Sequence, residues 1–211
     1  MPTPSAQQAL TILRNATQFQ WYVIPIFVLV VYVYACEIER RNWSLLFAGL
    51  MLLATDWFFE ILNSLVFHFT NFAPLWGAPG KTAYLMLIGL NIEICLNFAI
   101  LGIVFAKMLP RDKGLKIFGI PNRPFFAVGY AHICVFIEVL LNAIDALTWD
   151  YSWWNARAPW LIFLVAYLPL VSSALWVYDM KHVRSKAVTV GALLGVDALC
   201  LLVFGSLLKW I

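Results

Sequence analysis

Six apolar runs, at roughly residues 18–36, 44–68, 82–108, 124–148, 159–178 and 187–210, fill almost all of a 211-residue chain. A helix needs about 20 apolar residues to cross a bilayer. Inside lipid the backbone can satisfy its own polar groups only in helices or closed barrels. Runs this long select the helix. The chain is therefore expected to be all-α, a polytopic transmembrane helix bundle of six spans forming one domain over residues 1–211, with no soluble domain. Composition agrees: 63% of residues are hydrophobic, 12% are charged and mean hydropathy is +0.84, where soluble domains carry about 25% charged residues. Residues 4–16 are polar to mixed and predict a short interfacial helix. They lack the basic start and cleavable apolar stretch of a signal peptide.

Chain breakers lie between the runs: Pro74, Gly77, Pro79 and Gly80 in one connector, and Pro110, Gly114, Pro121 and Pro124 around another. Pro159 opens the fifth run as a helix-start proline does. Basic residues fix the expected orientation. Ten of them (Arg40, Arg41, Lys107, Arg111, Lys113, Lys116, Arg123, Lys181, Arg184 and Lys186) fall on one side, against Arg14, Lys81, Arg157 and Lys209 on the other. The positive-inside rule puts the first side in the cytoplasm and both termini on the non-cytoplasmic side. Trp76, Trp149, Trp153, Trp154 and Trp160 then fall on the outer side and read as an interfacial aromatic belt, with a substrate lid as the rarer alternative.

Against this background the acids stand out. Six of the 11 acidic residues lie inside proposed spans: Asp56, Glu60, Glu93, Glu138, Asp145 and Asp197. Each costs on the order of 3 kcal/mol at a span centre, and no lysine or arginine lies at mid-membrane depth to pair with them. Their spacing is ordered. Asp56, Glu60 and Asn63 fall at i, i+4 and i+7, one face of a helix, and Glu138, Asn142 and Asp145 repeat the spacing with acid and amide exchanged. Glu93 and Asn97 make a third pair, with Asn91 beside them. Three stripes at similar depth are expected to share one polar cavity, with Asp197 as its floor. Helix-to-helix hydrogen bonding is the plainer reading of such residues, but six acids without cations exceed what it explains.

Several chemistries lack their residues. The four cysteines are scattered through apolar segments with no CxxC pair, so neither a zinc site nor a disulfide framework is indicated. His68 and His182 lie at opposite ends of the bundle. His132 alone sits at membrane depth, where a packing role is commoner than a ligand role. No metal site and no cofactor are expected, although a carboxylate-only site for a hard ion stays open. Nothing points to nucleic acid.

What remains is acids beside aromatic rings. Trp57, Phe58 and Phe59 flank Asp56 and Glu60, and Phe98, Tyr130, Phe136 and Tyr167 lie at similar depths. Ordinary packing accounts for any single ring. As a set, they suit a site that protonates an apolar molecule and shelters positive charge, because a carboxylic acid in apolar surroundings can donate a proton and aromatic faces stabilise cations. The expected catalytic groups are Glu60, Asp197, Glu138, Glu93 and Asp56. The expected substrate contacts are Asn63, Asn91, Asn97, Asn142, Asp145, Trp57, Tyr130, His132 and Tyr167, around a lipophilic small molecule drawn from the membrane lipids.

The segments Asp56-Trp57-Phe58-Phe59-Glu60 and Gly195-Val196-Asp197-Ala198 resemble those of the integral-membrane terpene cyclases of meroterpenoid pathways, small all-helical proteins with an essential Glu after a Trp in an early span and an essential Asp in the last. The resemblance implies Glu60 as proton donor and Asp197 as its partner, opening an epoxide or protonating an olefin without metal.

Three function classes stay open on the sequence. The first is an intramembrane enzyme acting on an isoprenoid or lipid by carboxylate acid/base chemistry, to which terpene cyclisation belongs. The second is a transporter or channel moving protons, metal ions or an organic cation past the acids. The third is an accessory subunit whose acids hold a pigment or partner helix. Oligomeric state stays open as well.

Overall fold

The computed structural model describes the backbone of residues 1–211 and every side chain except that of Gln18. Seven helices carry the chain: α1 (Pro4–Ile12), α2 (Val23–Glu39), α3 (Trp43–Thr70), α4 (Ile92–Lys107), α5 (Asn122–Ala143), α6 (Pro159–Asp179) and α7 (Val183–Leu207). Four of them, α3, α5, α6 and α7, are long and apolar enough to cross a membrane. The other two long helices, α2 and α4, have 17 and 16 residues. At about 1.5 Å per residue they are roughly 25 Å long, short of a hydrocarbon core of about 30 Å.

The run at 82–108 is therefore not one helix. Its first part folds as a hairpin in which β1 (Leu85–Leu87) pairs antiparallel with β2 (Leu90–Asn91). Asn91 then caps α4, its Oδ1 accepting the Ile94 amide at 2.8 Å. Leu85, Leu87, Ile88 and Leu90 are apolar because the hairpin is buried in the protein. Continuous apolarity cannot distinguish that from burial in lipid. The run at 124–148 also stops early: α5 ends at Ala143, and Asp145 takes a left-handed backbone at φ 57°. A second small hairpin, β3 (Lys116–Ile117) with β4 (Ile120–Pro121), turns at Gly119, whose φ of 81° favours glycine.

Helix α3 is the axis of the bundle, packed against α4, α6 and α7. Two glycines set its closest crossing. A Cβ on Gly102 would lie 2.6 Å from the Ala48 carbonyl, and one on Gly49 would lie 2.7 Å from Ile103. Small residues let helix backbones approach in this way. In α6 a π turn over Phe163–Tyr167 precedes Pro169. A proline inside a helix removes one N–H bond and crowds the carbonyl four residues back, and the wider turn relieves that crowding.

The two ends of the bundle differ. At the basic end, Lys107 pairs with buried Glu37 at 2.6 Å, and Asp179 binds both Arg123 (2.7 Å) and Lys113 (2.9 Å). Lys186, itself buried, donates to the carbonyl of Val177 at 2.8 Å and to that of Tyr178. The opposite end is capped by α1 and the connectors 71–91 and 144–158. Thr3 and Ser5 donate to Asp150 at 2.8 and 2.5 Å, the Gly77 and Thr148 backbones pair, and the Tyr151 hydroxyl donates to the Ala73 carbonyl at 2.9 Å. The connectors on this side thus fold into a layer of their own.

Candidate functional site

Beneath the cap lies a cavity of about 550 Å³ bounded by α3, α4, α5 and α6, within the roughly 300–1,000 Å³ of small-molecule sites. Three of the expected acids reach its wall: Asp56 and Glu60 from α3 and Glu138 from α5. All three are buried. Most of the remaining wall is apolar, with Phe59, Phe98, Leu101, Leu141 and Leu170 prominent. Among the described residues no lysine, arginine or histidine lines it.

The chain builds the two glutamate sites by the same local device. In α3, Asn63 lies one turn beyond Glu60 and holds the following connector: its Oδ1 accepts the Leu75 and Trp76 amides at 2.7 and 3.3 Å, and its Nδ2 donates to the Trp76 carbonyl at 2.7 Å. That clamp brings the Trp76 indole back to donate to Glu60 Oε1 at 2.7 Å. In α5, Asn142 lies one turn beyond Glu138 and donates to the Leu147 carbonyl at 3.0 Å. Trp149 then returns to donate to Glu138 Oε1 at 3.2 Å. Tyr167, delivered by the last residue of the π turn, sits beside Glu138. Gly89 completes the Glu60 site, because a Cβ there would lie 2.7 Å from Glu60 Oε2 and 2.5 Å from Asn63 Nδ2.

The satisfaction of these carboxyls is uneven. Both oxygens of Glu60 accept N–H bonds, the weaker from Asn63 at 3.4 Å. Asp56 Oδ2 and Glu138 Oε2 are buried with no hydrogen-bond partner. The cavity also has a side opening. Leu29 of α2, Val104 of α4 and Ile137 of α5 line it and are 52%, 39% and 48% exposed. Asn97, exposed as well, stands on the same α4 wall. Toward the basic end the gap between α4 and α5 is closed by Phe105 stacked on Tyr130, with centroids 4.2 Å apart.

Other expected site residues lie elsewhere. Asp197 sits in the stripe of α7 that packs on α3 and is not in the cavity wall, so it forms no floor; both its oxygens are buried and unbonded. Glu93 is a tether, accepting from Thr82 (2.6 Å), the Ala83 amide (2.7 Å) and the Tyr22 hydroxyl. Asn91 is spent on capping α4. Trp57 faces α7 and donates to Cys95 at 3.4 Å. His132 is exposed, its Nδ1 bonded to the Val128 carbonyl at 2.7 Å. Asp145 is exposed, and Tyr130 packs below the cavity. Among the described residues, no three His, Cys, Asp or Glu side chains converge closely enough to hold a metal ion.

The tryptophans divide. Trp153 and Trp160 are about half exposed, as belt residues are, whereas Trp154 is buried and stacks on Trp76 at 6.1 Å. Trp76 and Trp149 belong to the site. The signal for them was present as a repeat, a glutamate with an amide one turn on and a tryptophan in the next connector, but its meaning depends on how those connectors fold.

The model of a family described as an uncharacterized membrane protein family matches residues 3–206. The chain belongs to that family. An uncharacterized protein of Archaeoglobus fulgidus is 54% identical over 211 residues, spanning 100% of both chains. A second uncharacterized protein of that organism is 53% identical over 53 residues, 25% of this chain and 95% of its own. No solved structure matches. These matches overturn the resemblance to terpene cyclases: the family and the relatives that match are uncharacterized proteins, and no terpene-cyclase likeness is shown. The geometry agrees, since the Glu60 and Asp197 roles implied by that resemblance require one shared site, and only Glu60 lines the cavity.

Proposed function

We propose that this family member is an intramembrane enzyme that admits a lipophilic molecule sideways from the bilayer and acts on it by carboxylate acid/base chemistry. One observation carries the reading: Asp56, Glu60 and Glu138 share an apolar-walled cavity whose mouth, between Leu29, Val104 and Ile137, is rimmed by exposed apolar side chains. Glu60 is the proton acceptor, held in place by Trp76 and Asn63. Asp56 and Glu138 stand at the same wall as further carboxyl groups for the acid/base step. Phe59, Phe98 and the Trp76 ring shelter positive charge that develops on the substrate.

In this reading α2 and α4 are two further crossings, six in all, tilted little and helped across by the cap. The basic end faces the cytoplasm because ten of the 14 lysines and arginines belong to its side. Both termini then lie on the non-cytoplasmic side, and substrate enters from the outer half of the bilayer.

The test compares lipid extracts of membranes carrying wild type, Glu60→Gln, or the loop control Asp112→Asn, incubated in heavy water and resolved by chromatography and mass spectrometry. Wild type and the control are expected to give the same new or deuterated species, which Glu60→Gln lacks. Identical profiles from all three would overturn the enzyme. Glu60-dependent proton or cation uptake into proteoliposomes, with no change in lipid, would make transport the better account.

A further inference from the structure

The cavity combines three carboxyl groups with apolar and aromatic walls, and no basic side chain balances them among its described lining residues. Hydrogen-bond bookkeeping points the same way. Nearly every buried polar atom in a folded protein has a partner, yet Asp56 Oδ2 and Glu138 Oε2 have none, in side chains only 6% and 4% exposed. The two side chains belong to α3 and α5 and line one cavity. The donors around Glu60 and Glu138 are neutral: the indoles of Trp76 and Trp149, the amide of Asn63 and the Tyr167 hydroxyl beside Glu138. The site therefore lacks a positively charged donor with several N–H groups, small enough to lie between two helices. The mouth adds a second requirement. Its rim residues Leu29, Val104 and Ile137 are apolar, so whatever bears that donor carries a hydrocarbon portion that can remain in lipid.

We propose that the cavity binds a long-chain primary amine, with its ammonium group between Asp56, Glu60 and Glu138 and its alkyl chain leaving through the gap between α4 and α5. The proposal rests on the reading of the cavity as a substrate site and names the substrate class. An ammonium group donates three hydrogen bonds, which matches the three carboxyl groups at the cavity wall. Trp76, Phe59 and Phe98 offer ring faces to the same charge. A fatty alcohol fits the channel equally well but brings one donor and no charge. A fatty acid brings charge of the wrong sign.

The probes are dodecylamine, dodecanol and dodecanoic acid, titrated into the full-length protein in nanodiscs, with binding to empty nanodiscs subtracted. Charge-assisted hydrogen bonds exceed neutral ones by enough to favour the amine over the alcohol roughly tenfold or more. The acid is expected not to bind measurably. Glu138→Gln, which keeps an acceptor for Trp149, is expected to reduce the amine preference, and the Asp56→Asn, Glu138→Gln pair to abolish it. Ile137→Trp, at the mouth, is expected to weaken amine and alcohol alike. Equal binding of amine and alcohol by wild type overturns the proposal, and that comparison decides alone if the double variant does not fold. Amine preference that survives in a folded double variant overturns it too. An amine preference with an unchanged lipid profile would leave this inference standing and remove the enzyme. A Glu60-dependent profile with no amine preference would do the reverse.

Discussion

Gly89 has no side chain, and three groups of the site converge on the space where one would be. A methyl group there would stand 2.5 Å from Asn63 Nδ2, 2.7 Å from Glu60 Oε2 and 2.7 Å from Trp76 Cδ1. Gly89→Ala is therefore expected to destabilise by about 1–3 kcal/mol, the usual cost of overpacking, and to alter tryptophan emission by moving the Trp76 indole off Glu60. Thermal unfolding and fluorescence of the purified variant check both, and a protein unchanged in both would refute the packing described. In the sequence Gly89 is one glycine within an apolar run, and the run reads as a helix. Its role comes from a hairpin meeting a helix end, contacts that no local spacing encodes. Asp56, Glu60 and Asn63 were legible because helical periodicity alone puts them on one face. Glu93 fits the same periodic pattern, yet its carboxylate is taken up by Thr82 and Ala83, residues outside α4.

Among elements, the repeated device in α3 and α5 gives a graded expectation. Asn63 makes three hydrogen bonds to the connector that carries Trp76, whereas Asn142 makes one to the connector that carries Trp149. A buried group left unsatisfied costs about 1–3 kcal/mol. Asn63→Ala is thus expected to lower stability more than Asn142→Ala and to loosen Trp76, while Asn142→Ala loosens Trp149. Unfolding midpoints of the two variants check the order, and the reverse order would show that the clamps are not equivalent in kind. The helices themselves were largely readable, because α3, α5, α6 and α7 are long apolar segments with a proline or polar residue near one end. The hairpin β1–β2 was not, because an apolar strand buried under a cap and an apolar helix in lipid have the same composition. Nor was the π turn that delivers Tyr167, although Pro169 just after it marks where an ordinary helix would be crowded.

For the whole molecule, the proposed orientation is open to direct labelling. A single cysteine introduced at Lys113, in a background without the four native cysteines, is expected to react with an impermeant maleimide only after the membrane is opened. Labelling of intact cells would invert the topology. The basic end also carries a pH dependence. Glu37 lies beyond the apolar run 18–36, and the hydrogen bond from Lys107 holds its carboxyl below the usual carboxylate range, with Asn42 contributing. A depressed folded value means that the pair stabilises the fold fully above the unfolded carboxyl's pKa, and that this contribution is lost as pH falls through the folded value. The unfolding temperatures of wild type and Lys107→Met are expected to differ near neutrality and to converge on acidification. A gap that stays constant with pH would remove the ion pair from the account.

The cap imposes an order of events on the molecule's making. Thr3 donates its amide to Phe72 and its hydroxyl to Asp150, a partner 147 residues further along the chain. At synthesis rates of about 5–20 residues per second, the start of the chain waits roughly 7–30 s before that partner exists. Through that interval α1 can close against Phe72 and the connector around Ala78 and Leu85 but not against Asp150, and Asn63 and Trp76 can meet before Trp149 has been made. The Glu60 half of the cavity is assembled first, the Glu138 half is added to it, and the leading segment seals both only after α5 is in the membrane.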